Sequence, residues 1–129
     1  SPDFAAAILL LADYAELPPE DAFLLISHVG WEPETLLAFE GISPFVVPSV
    51  LWSLYSVFRT PDDYWSTVCT AIAAGGDVDT TAAMAGAISG AYLGIDAVPA
   101  DLAAKLNDNG TSGLSDMVGL AVRTAQIFC

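Results

Sequence analysis

Two aspartates and a threonine stand close together in the stretch GGDVDTT, which begins at Gly75. The two glycines end a predicted helix and permit backbone angles that a side chain would forbid. In an extended turn, residues two apart point to the same side, so Asp77 and Asp79 can converge on one point with Thr80 beside them. Two carboxylates and a hydroxyl provide half of a coordination shell for Mg²⁺, Mn²⁺ or Ca²⁺, which prefer hard oxygen ligands.

The same residues have a purely structural alternative. Asp79 or Thr80 can cap the following helix, with Asp77 as a solvated turn residue, because aspartate and threonine are common N-caps. An EF-hand loop starting at Asp77 is excluded, since its twelfth position needs a glutamate and Ile88 stands there. The Asp-x-Asp-x-Thr pattern of haloacid-dehalogenase-type phosphatases should follow a buried strand, whereas a predicted helix and two glycines precede it here. Capping and cation binding both remain open on spacing alone.

The helix after the aspartates has a small residue at every fourth position: Ala82, Gly86, Gly90 and Gly94. Residues with this spacing share one face of a helix. Each interior glycine costs about 1 kcal/mol relative to alanine, so we expect another helix to pack closely along this face and offset that cost, with Gly94 as the C-cap. Such packing would hold the aspartates at the start of the helix in a fixed position.

Helix signals recur along the chain, and no window of four to eight residues alternates as a strand does. Helices are predicted at about residues 3–14, from Pro19 to a terminating Gly30, from Pro48 to Phe58, from Pro61 with Thr60 as cap to Gly75, after Pro99, and at about residues 114–128. In the third of these, Val50, Leu51, Leu54 and Phe58 form one apolar stripe. The fold class is therefore all-α, and residues 1–129 are expected to form a single all-helical unit.

Composition limits the partners. Hydrophobic residues make up 54% of the chain, which suggests that another chain, or a missing part of the same one, covers some apolar surface. Sixteen acidic residues against three basic ones give a net charge of −13, which argues against nucleic acid and favours divalent cations as counter-charge. The longest uncharged run, residues 41–58, contains two prolines, so no membrane segment is expected. Two cysteines without ligand spacing predict reduced thiols in a cytoplasmic protein.

The stretch GGDVDTTAAMAGAISGAYLGIDAVP resembles the C-terminal signature of the ADP-ribosylglycohydrolases. This family includes dinitrogenase-reductase-activating glycohydrolase and the hydrolases that remove ADP-ribose from protein arginine and serine. The upstream stretch EGISPFVVPSVLWSLY is similar to a loop and a proline-opened helix of the same family, so the resemblance covers about residues 41–99. It implies an orthogonal all-α helical bundle with two divalent cations, Mg²⁺ or Mn²⁺, in a central cleft.

The resemblance also implies residue roles. Asp77, Asp79 and Thr80 would be metal ligands, with Asp79 bridging both ions, and Gly41 and Ile42 would border the ADP-ribose pocket. No catalytic residue beyond the metal ligands is expected in this chain. The implied reaction is hydrolysis of the bond between the anomeric carbon of the ribose and a protein side chain or other acceptor. The expected partners are therefore ADP-ribosylated proteins or small molecules that contain ADP-ribose.

Two departures from the family pattern qualify this reading. Val78 replaces a small polar residue between the aspartates, which removes a possible supporting hydrogen bond but no ligand. The family's other metal half-site, a Thr/Ser-Asp-Asp cluster, has no counterpart here. We therefore expect this chain to be the C-terminal part of a larger enzyme, completed by an N-terminal polypeptide or a second subunit. The alternative is a non-catalytic relative of the same fold, either a crystallin-like structural protein or an ADP-ribose-binding pseudoenzyme.

Overall fold

The structure is a computed structural model that describes residue 11 and residues 13–29 and 40–128. Most of the first predicted helix and the predicted helix end at Gly30 lie outside these residues. The described residues form helices joined by turns, with isolated β-bridges and no strand among them, which confirms the all-α class. The chain divides into two compact units, Ser1–Ala97 and Val98–Cys129. The expectation of one single unit stays a prediction.

Besides helical residues at positions 11 and 13–15, the described part of the first unit contains four α-helices and a short 3₁₀ helix. These are α1 (Pro19–Ile26), α2 (Val46–Arg59), α3 (Tyr64–Ala73), α4 (Val78–Leu93) and the 3₁₀ helix Ile95–Ala97. In the second unit, α5 (Ala100–Ala103) is followed by α6 (Leu114–Phe128), whose predicted bounds are confirmed. Pro19 opens α1 as predicted, whereas α2 begins two residues before Pro48, which lies in its first turn, where the missing N–H leaves no bond unmade.

The cap of α3 differs from the prediction. Asp63, and not Thr60, is the N-cap: its carboxylate accepts the Ser66 N–H at 3.0 Å and the Ser66 hydroxyl at 2.8 Å. Thr60 is the C-cap of α2, and its hydroxyl donates back to the Ser56 carbonyl. The segment TPDD offers a capping residue at both of its ends, and the preceding helix uses the first of them.

The buried side of α2 is not its apolar stripe. Val50 and Phe58 are 38% and 37% exposed. The buried residues of α2 are instead Pro48, Ser49, Trp52, Ser53, Tyr55, Ser56 and Val57. Serines tolerate this burial because their hydroxyls donate to carbonyls one turn earlier, as from Ser53 to Ser49 at 2.7 Å and from Ser56 to Trp52 at 2.9 Å.

Two buried clusters hold the first unit together. The larger consists of Ala22, Ile26, Ile42, Trp52 and Tyr55. Within it, the Trp52 indole N–H donates to the Ala71 carbonyl at 3.1 Å, which ties α2 to the end of α3. The smaller joins Val57 of α2, Ala71 of α3 and Ala85 of α4. Together they pack α1, α2, α3 and α4 with the Ile42 loop in the first unit.

Close packing along the glycine face of α4 is confirmed at Gly86. A Cβ there would lie 3.2 Å from the Tyr64 hydroxyl and 3.6 Å from Val68, so α3 fills the groove. At Gly90 a Cβ would lie 3.6 Å from the Tyr64 ring, which is ordinary van der Waals contact and requires no glycine. Gly94 is the C-cap with φ +82°, as predicted.

Candidate functional site

The loop that precedes α2 crosses the turn that precedes α4. The Ile42 N–H donates to the Gly75 carbonyl at 3.0 Å, and the Asp77 N–H donates to the Ile42 carbonyl at 2.8 Å, forming an isolated parallel β-bridge. Gly41 and Gly76 have φ of +91° and +82°, and a Cβ on either would overlap the backbone of the facing segment. Two segments far apart in sequence can therefore touch backbone to backbone only because these two residues are glycines.

This crossing brings together the two sets of residues predicted for the site. Gly41 and Ile42 lie on one segment, and the turn that carries Asp77 lies on the other. The Ile42 side chain is fully buried in the larger cluster, so Gly41 and Ile42 themselves can present only backbone groups to a ligand. The substrate-binding role assigned to Gly41 and Ile42 stays a prediction, with its chemistry restricted to backbone groups.

The start of α4 differs from the expected extended turn. The helix begins at Val78, so Asp77 is the N-cap and Asp79 and Thr80 already belong to the first turn. Residues i and i+2 do not face each other on a helix, so the reason we gave for convergence of the two carboxylates is wrong. The side chains that meet are those of Asp77 and Thr80, since the Thr80 hydroxyl donates to Oδ1 of Asp77 at 3.0 Å. Asp77 is half-buried, whereas Asp79 and Thr80 are exposed.

The capping alternative is also not realised by these side chains. Asp79 and Thr80 lie inside the helix, and the Asp77 carboxylate, although at the N-cap, makes no capping hydrogen bond. Asp63 shows what a capping aspartate does in the same chain, because it accepts the backbone N–H of Ser66. Those bonds to Ser66 lower the pKa of Asp63 below its usual range. The Asp77 carboxylate is therefore not engaged in capping the N-terminus of α4.

Among the described residues of the first unit, no ion pair offsets the charges of Asp77 and Asp79. Arg59 is the one lysine or arginine in residues 1–97, and its guanidinium donates to the Ala15 carbonyl at 3.1 Å. The ion pair found in the described part of the chain, Lys105 with Asp101, lies in the second unit. Two carboxylates at the positive end of a helix dipole are favourable for the helix. Residues 1–97 therefore offer these two carboxylates no basic partner other than Arg59, and a cation is a suitable counter-charge.

The donor set fits a hard divalent cation in its chemistry. Two carboxylates and a hydroxyl are oxygen donors of the kind that Mg²⁺ and Mn²⁺ prefer, and Mg²⁺ commonly keeps several waters on a few protein ligands. Within the described ranges, no group of three or more carboxylate, imidazole or thiol side chains is placed to hold a metal. Asp77, Asp79 and Thr80 therefore supply at most part of a coordination shell.

Three buried residues that contact the crossing of the Ile42 loop with the Gly76 turn were not singled out from the sequence. Thr81 is fully buried, and its hydroxyl lies 3.2 Å from the Asp77 carbonyl. Ser49 and Ser53, on α2, bond to the loop of Ile42 and to the start of α4 respectively. The sequence held one signal for the two serines: α2 has a serine at every third or fourth position and is otherwise apolar. An exposed helix face would also carry charged residues, so this spacing indicates buried serines.

Comparison with known proteins decides the family. The sequence model of the ADP-ribosylglycohydrolase family matches residues 2–127. The chain belongs to this family. It is 41% identical over 108 residues to ADP-ribosylhydrolase ARH3 of Danio rerio, an alignment that covers 81% of this chain and 27% of the relative. The chain thus spans about a quarter of the length of that relative. No solved structure matches it significantly.

Membership of the ADP-ribosylglycohydrolases confirms the resemblance seen in the sequence, including the GGDVDTT turn now placed at the start of α4. The helical architecture of the described residues agrees with an all-α fold. Among those same residues, no helix is both long enough and apolar enough to cross a membrane.

Proposed function

We propose that this ADP-ribosylglycohydrolase chain forms part of the active site of an enzyme that hydrolyses the bond between ADP-ribose and an acceptor side chain or small molecule. Asp77, Asp79 and Thr80 would be ligands of divalent cations, Mg²⁺ or Mn²⁺. One observation carries the proposal: the Asp77 carboxylate sits at a helix N-cap without capping it, and pairs instead with the Thr80 hydroxyl beside the Gly41 loop. The family match and the similarity to an ADP-ribosylhydrolase support it.

The contributions of the three ligands differ. Asp79 and Thr80 are exposed on the first turn of α4, so a cation can approach them from solvent. The Thr80 oxygen keeps its lone pairs while its proton bonds Asp77, so donating that bond does not prevent it from acting as a ligand. Bound divalent cations would supply Lewis acidity, orienting the ribose hydroxyls and an attacking water.

The substrate would be held largely by backbone groups. Gly41 has no side chain, and its loop leads directly into α2, which has no acidic residue in its first turn. Helix N-termini attract phosphate through their N–H groups and dipole. In a chain whose first 97 residues carry one basic side chain, this helix end would substitute for arginines in binding a diphosphate.

The remaining ligands and the opposite wall of the cleft would come from residues outside these 129, on the same polypeptide or on a second one. The length relationship supports this, since the chain covers 27% of ADP-ribosylhydrolase ARH3. Exposed apolar side chains at the start of α2 support it as well: Val46 is 71% exposed and Phe45 56%.

The test is cation-dependent release of ADP-ribose from an ADP-ribosylated protein by the complete protein. Asp79→Ala should lower kcat/KM by at least about 100-fold, because a lost ligand removes transition-state stabilisation of several kcal/mol. Asp62→Ala, which removes an exposed carboxylate from the loop before α3, is the matched control and should stay within about twofold. Full activity of Asp79→Ala would refute the ligand assignment, and ADP-ribose binding without turnover would establish the non-catalytic alternative.

A further inference from the structure

Two buried serines of α2 form hydrogen bonds to the two segments that cross, the Gly41–Ser43 loop and the start of α4. The Ser49 hydroxyl donates to the Ser43 carbonyl at 2.8 Å, on the loop that carries Gly41. One turn later, the Ser53 hydroxyl lies 2.7 Å from the Ser49 carbonyl and 3.2 Å from the Thr81 carbonyl on α4. Both serines are almost fully buried, at 3% and 1% exposure. One helix therefore contacts both halves of the candidate site through consecutive hydroxyls.

The contact with α4 continues to Asp77. The fully buried Thr81 hydroxyl lies 3.2 Å from the Asp77 carbonyl. The Asp77 N–H is held by the Ile42 carbonyl on the other side of the residue. Hydrogen bonds therefore fix the backbone of Asp77 at both ends, while its carboxylate makes no capping hydrogen bond.

We propose that Ser49 and Ser53 are positioning residues of the candidate site. Ser49 holds the Gly41–Ser43 loop, and Ser53 holds the turn of Asp77 by way of Thr81. The proposal rests on the proposed function of Asp77, Asp79 and Thr80. Because both hydroxyls are buried against backbone carbonyls, neither serine would itself be a ligand of cation or substrate.

The physical reason is that the two segments of the crossing meet through backbone contacts, with the buried Ile42 side chain holding one of them in the core. Its two segments share two backbone hydrogen bonds, and the glycines that permit the approach add no side-chain packing. Residues that orient metal ligands typically affect cation affinity by about 10-fold to 100-fold when removed, since small displacements spoil the coordination geometry. The Ser49 hydroxyl anchors the first segment to α2, and the Ser53 hydroxyl, whose one proton is shared between the Ser49 and Thr81 carbonyls, links the second segment to the same helix.

Ser56 provides a matched control on the same helix. It is fully buried, and its hydroxyl donates to the Trp52 carbonyl at 2.9 Å, within α2 itself. No hydrogen bond joins its hydroxyl to either crossing segment in the described part of the chain. Ser56→Ala therefore reports the loss of a buried intrahelical serine bond without any change at the crossing.

The experiment compares Ser49→Ala, Ser53→Ala and Ser56→Ala in the complete protein. Amide hydrogen exchange is measured for peptides spanning residues 41–43 and 76–81, alongside calorimetric titrations with Mn²⁺ and with ADP-ribose. Ser53→Ala should speed exchange at 76–81 and weaken Mn²⁺ binding about 10-fold to 100-fold. Ser49→Ala should speed exchange at 41–43 and weaken ADP-ribose binding by at least about 10-fold, with Mn²⁺ affinity within about threefold. Ser56→Ala should match the wild type in all three measurements.

The positioning role is overturned if Ser49→Ala and Ser53→Ala behave as Ser56→Ala does in exchange and in binding. A wild-type protein that binds neither Mn²⁺ nor ADP-ribose would sink the proposed function instead, and the exchange rates would still decide whether the serines hold the crossing. Should an alanine variant fail to fold, Ser53→Cys and Ser56→Cys give the same comparison, because cysteine nearly preserves the volume and donates weakly.

Discussion

The Thr80 hydroxyl donates to Oδ1 of Asp77 at 3.0 Å, so the N-cap carboxylate of α4 bonds a side chain three residues on and makes no capping hydrogen bond to the helix backbone. At the same position of α3, Asp63 accepts the Ser66 N–H in the ordinary way. Two aspartates at equivalent helix positions therefore have carboxylates with different hydrogen-bond partners.

Removing the N-cap carboxylates of α3 and α4 should affect stability under different conditions: Asp63 in the absence of cation, and Asp77 in its presence. In EDTA, Asp77→Ala should change the free energy of unfolding by less than about 0.5 kcal/mol, because no capping bond is lost. Asp63→Ala should destabilise under the same conditions. When Mn²⁺ is present at 100 times its Kd, the wild type should gain about 2.7 kcal/mol and Asp77→Ala should gain little. Urea denaturation with and without Mn²⁺ measures both, and an equal Mn²⁺ gain in the two proteins would contradict the ligand role.

The stabilisation that the capping carboxylate of Asp63 provides should depend on pH. Hydrogen bonds from Ser66 lower the pKa of Asp63 in the folded protein, so its carboxylate stabilises the fold above its unfolded pKa of about 3.9. That contribution is lost as the pH falls through the lower pKa that Asp63 has in the folded protein. The difference in unfolding free energy between wild type and Asp63→Asn should be constant from pH 7 to about pH 5 and shrink below about pH 4. A difference that stays unchanged down to pH 2.5 would contradict it.

Gly76 should be far less replaceable than its neighbour Gly75. Both have positive φ, at +82° and +70°, but only a Cβ on Gly76 would overlap another segment, the backbone of Ile42. Gly75→Ala should cost about 1 to 2 kcal/mol for the left-handed conformation alone. Gly76→Ala should cost about 3 kcal/mol or more, since the overlap adds to that cost. Similar midpoints in urea for the two variants would mean that the crossing is not as tight as described.

The two interior glycines of α4 should respond differently to alanine. Gly90→Ala should stabilise by about 0.5 kcal/mol, because the added Cβ meets the Tyr64 ring at an ordinary distance. Gly86→Ala should be nearly neutral, since its Cβ would lie 3.2 Å from the Tyr64 hydroxyl and push it aside. In a Tyr64→Phe background, Gly86→Ala should become as favourable as Gly90→Ala. A double-mutant cycle by urea denaturation tests this, and zero coupling between Gly86 and Tyr64 would contradict it.

Local features of the fold were predictable because their signals are local. Pro19 at a first helical position, Gly94 at a C-cap and the bounds of α6 all follow from residues that restrict or free the backbone. The cap of α3 was not predictable in the same way. Thr60 and Asp63 both suit an N-cap, and the end of α2 uses the first of them.

Tertiary features were harder to infer. The buried side of α2 carries serines whose hydroxyls bond carbonyls of the helix itself or of the loop before it, so polarity did not mark exposure. The crossing of Ile42 with Gly76 is made by backbone hydrogen bonds, which leave no side-chain pattern except the glycines. The residues of the candidate site were predictable from family resemblance, whereas their arrangement, with Thr80 rather than Asp79 against Asp77, required the structure.

The most direct test of the account is a calorimetric Mn²⁺ titration of the complete protein carrying Asp77→Asn and Asp79→Asn together. A variant with Asp62→Asn and Asp96→Asn removes the same charge from two exposed carboxylates elsewhere in the first unit and serves as the control. If Asp77 and Asp79 are ligands, the first pair should weaken Mn²⁺ affinity by at least about 100-fold, and the control by less than about threefold because solvent and salt screen distant charges. Equal Mn²⁺ affinities in the two double variants would contradict the assignment of the site.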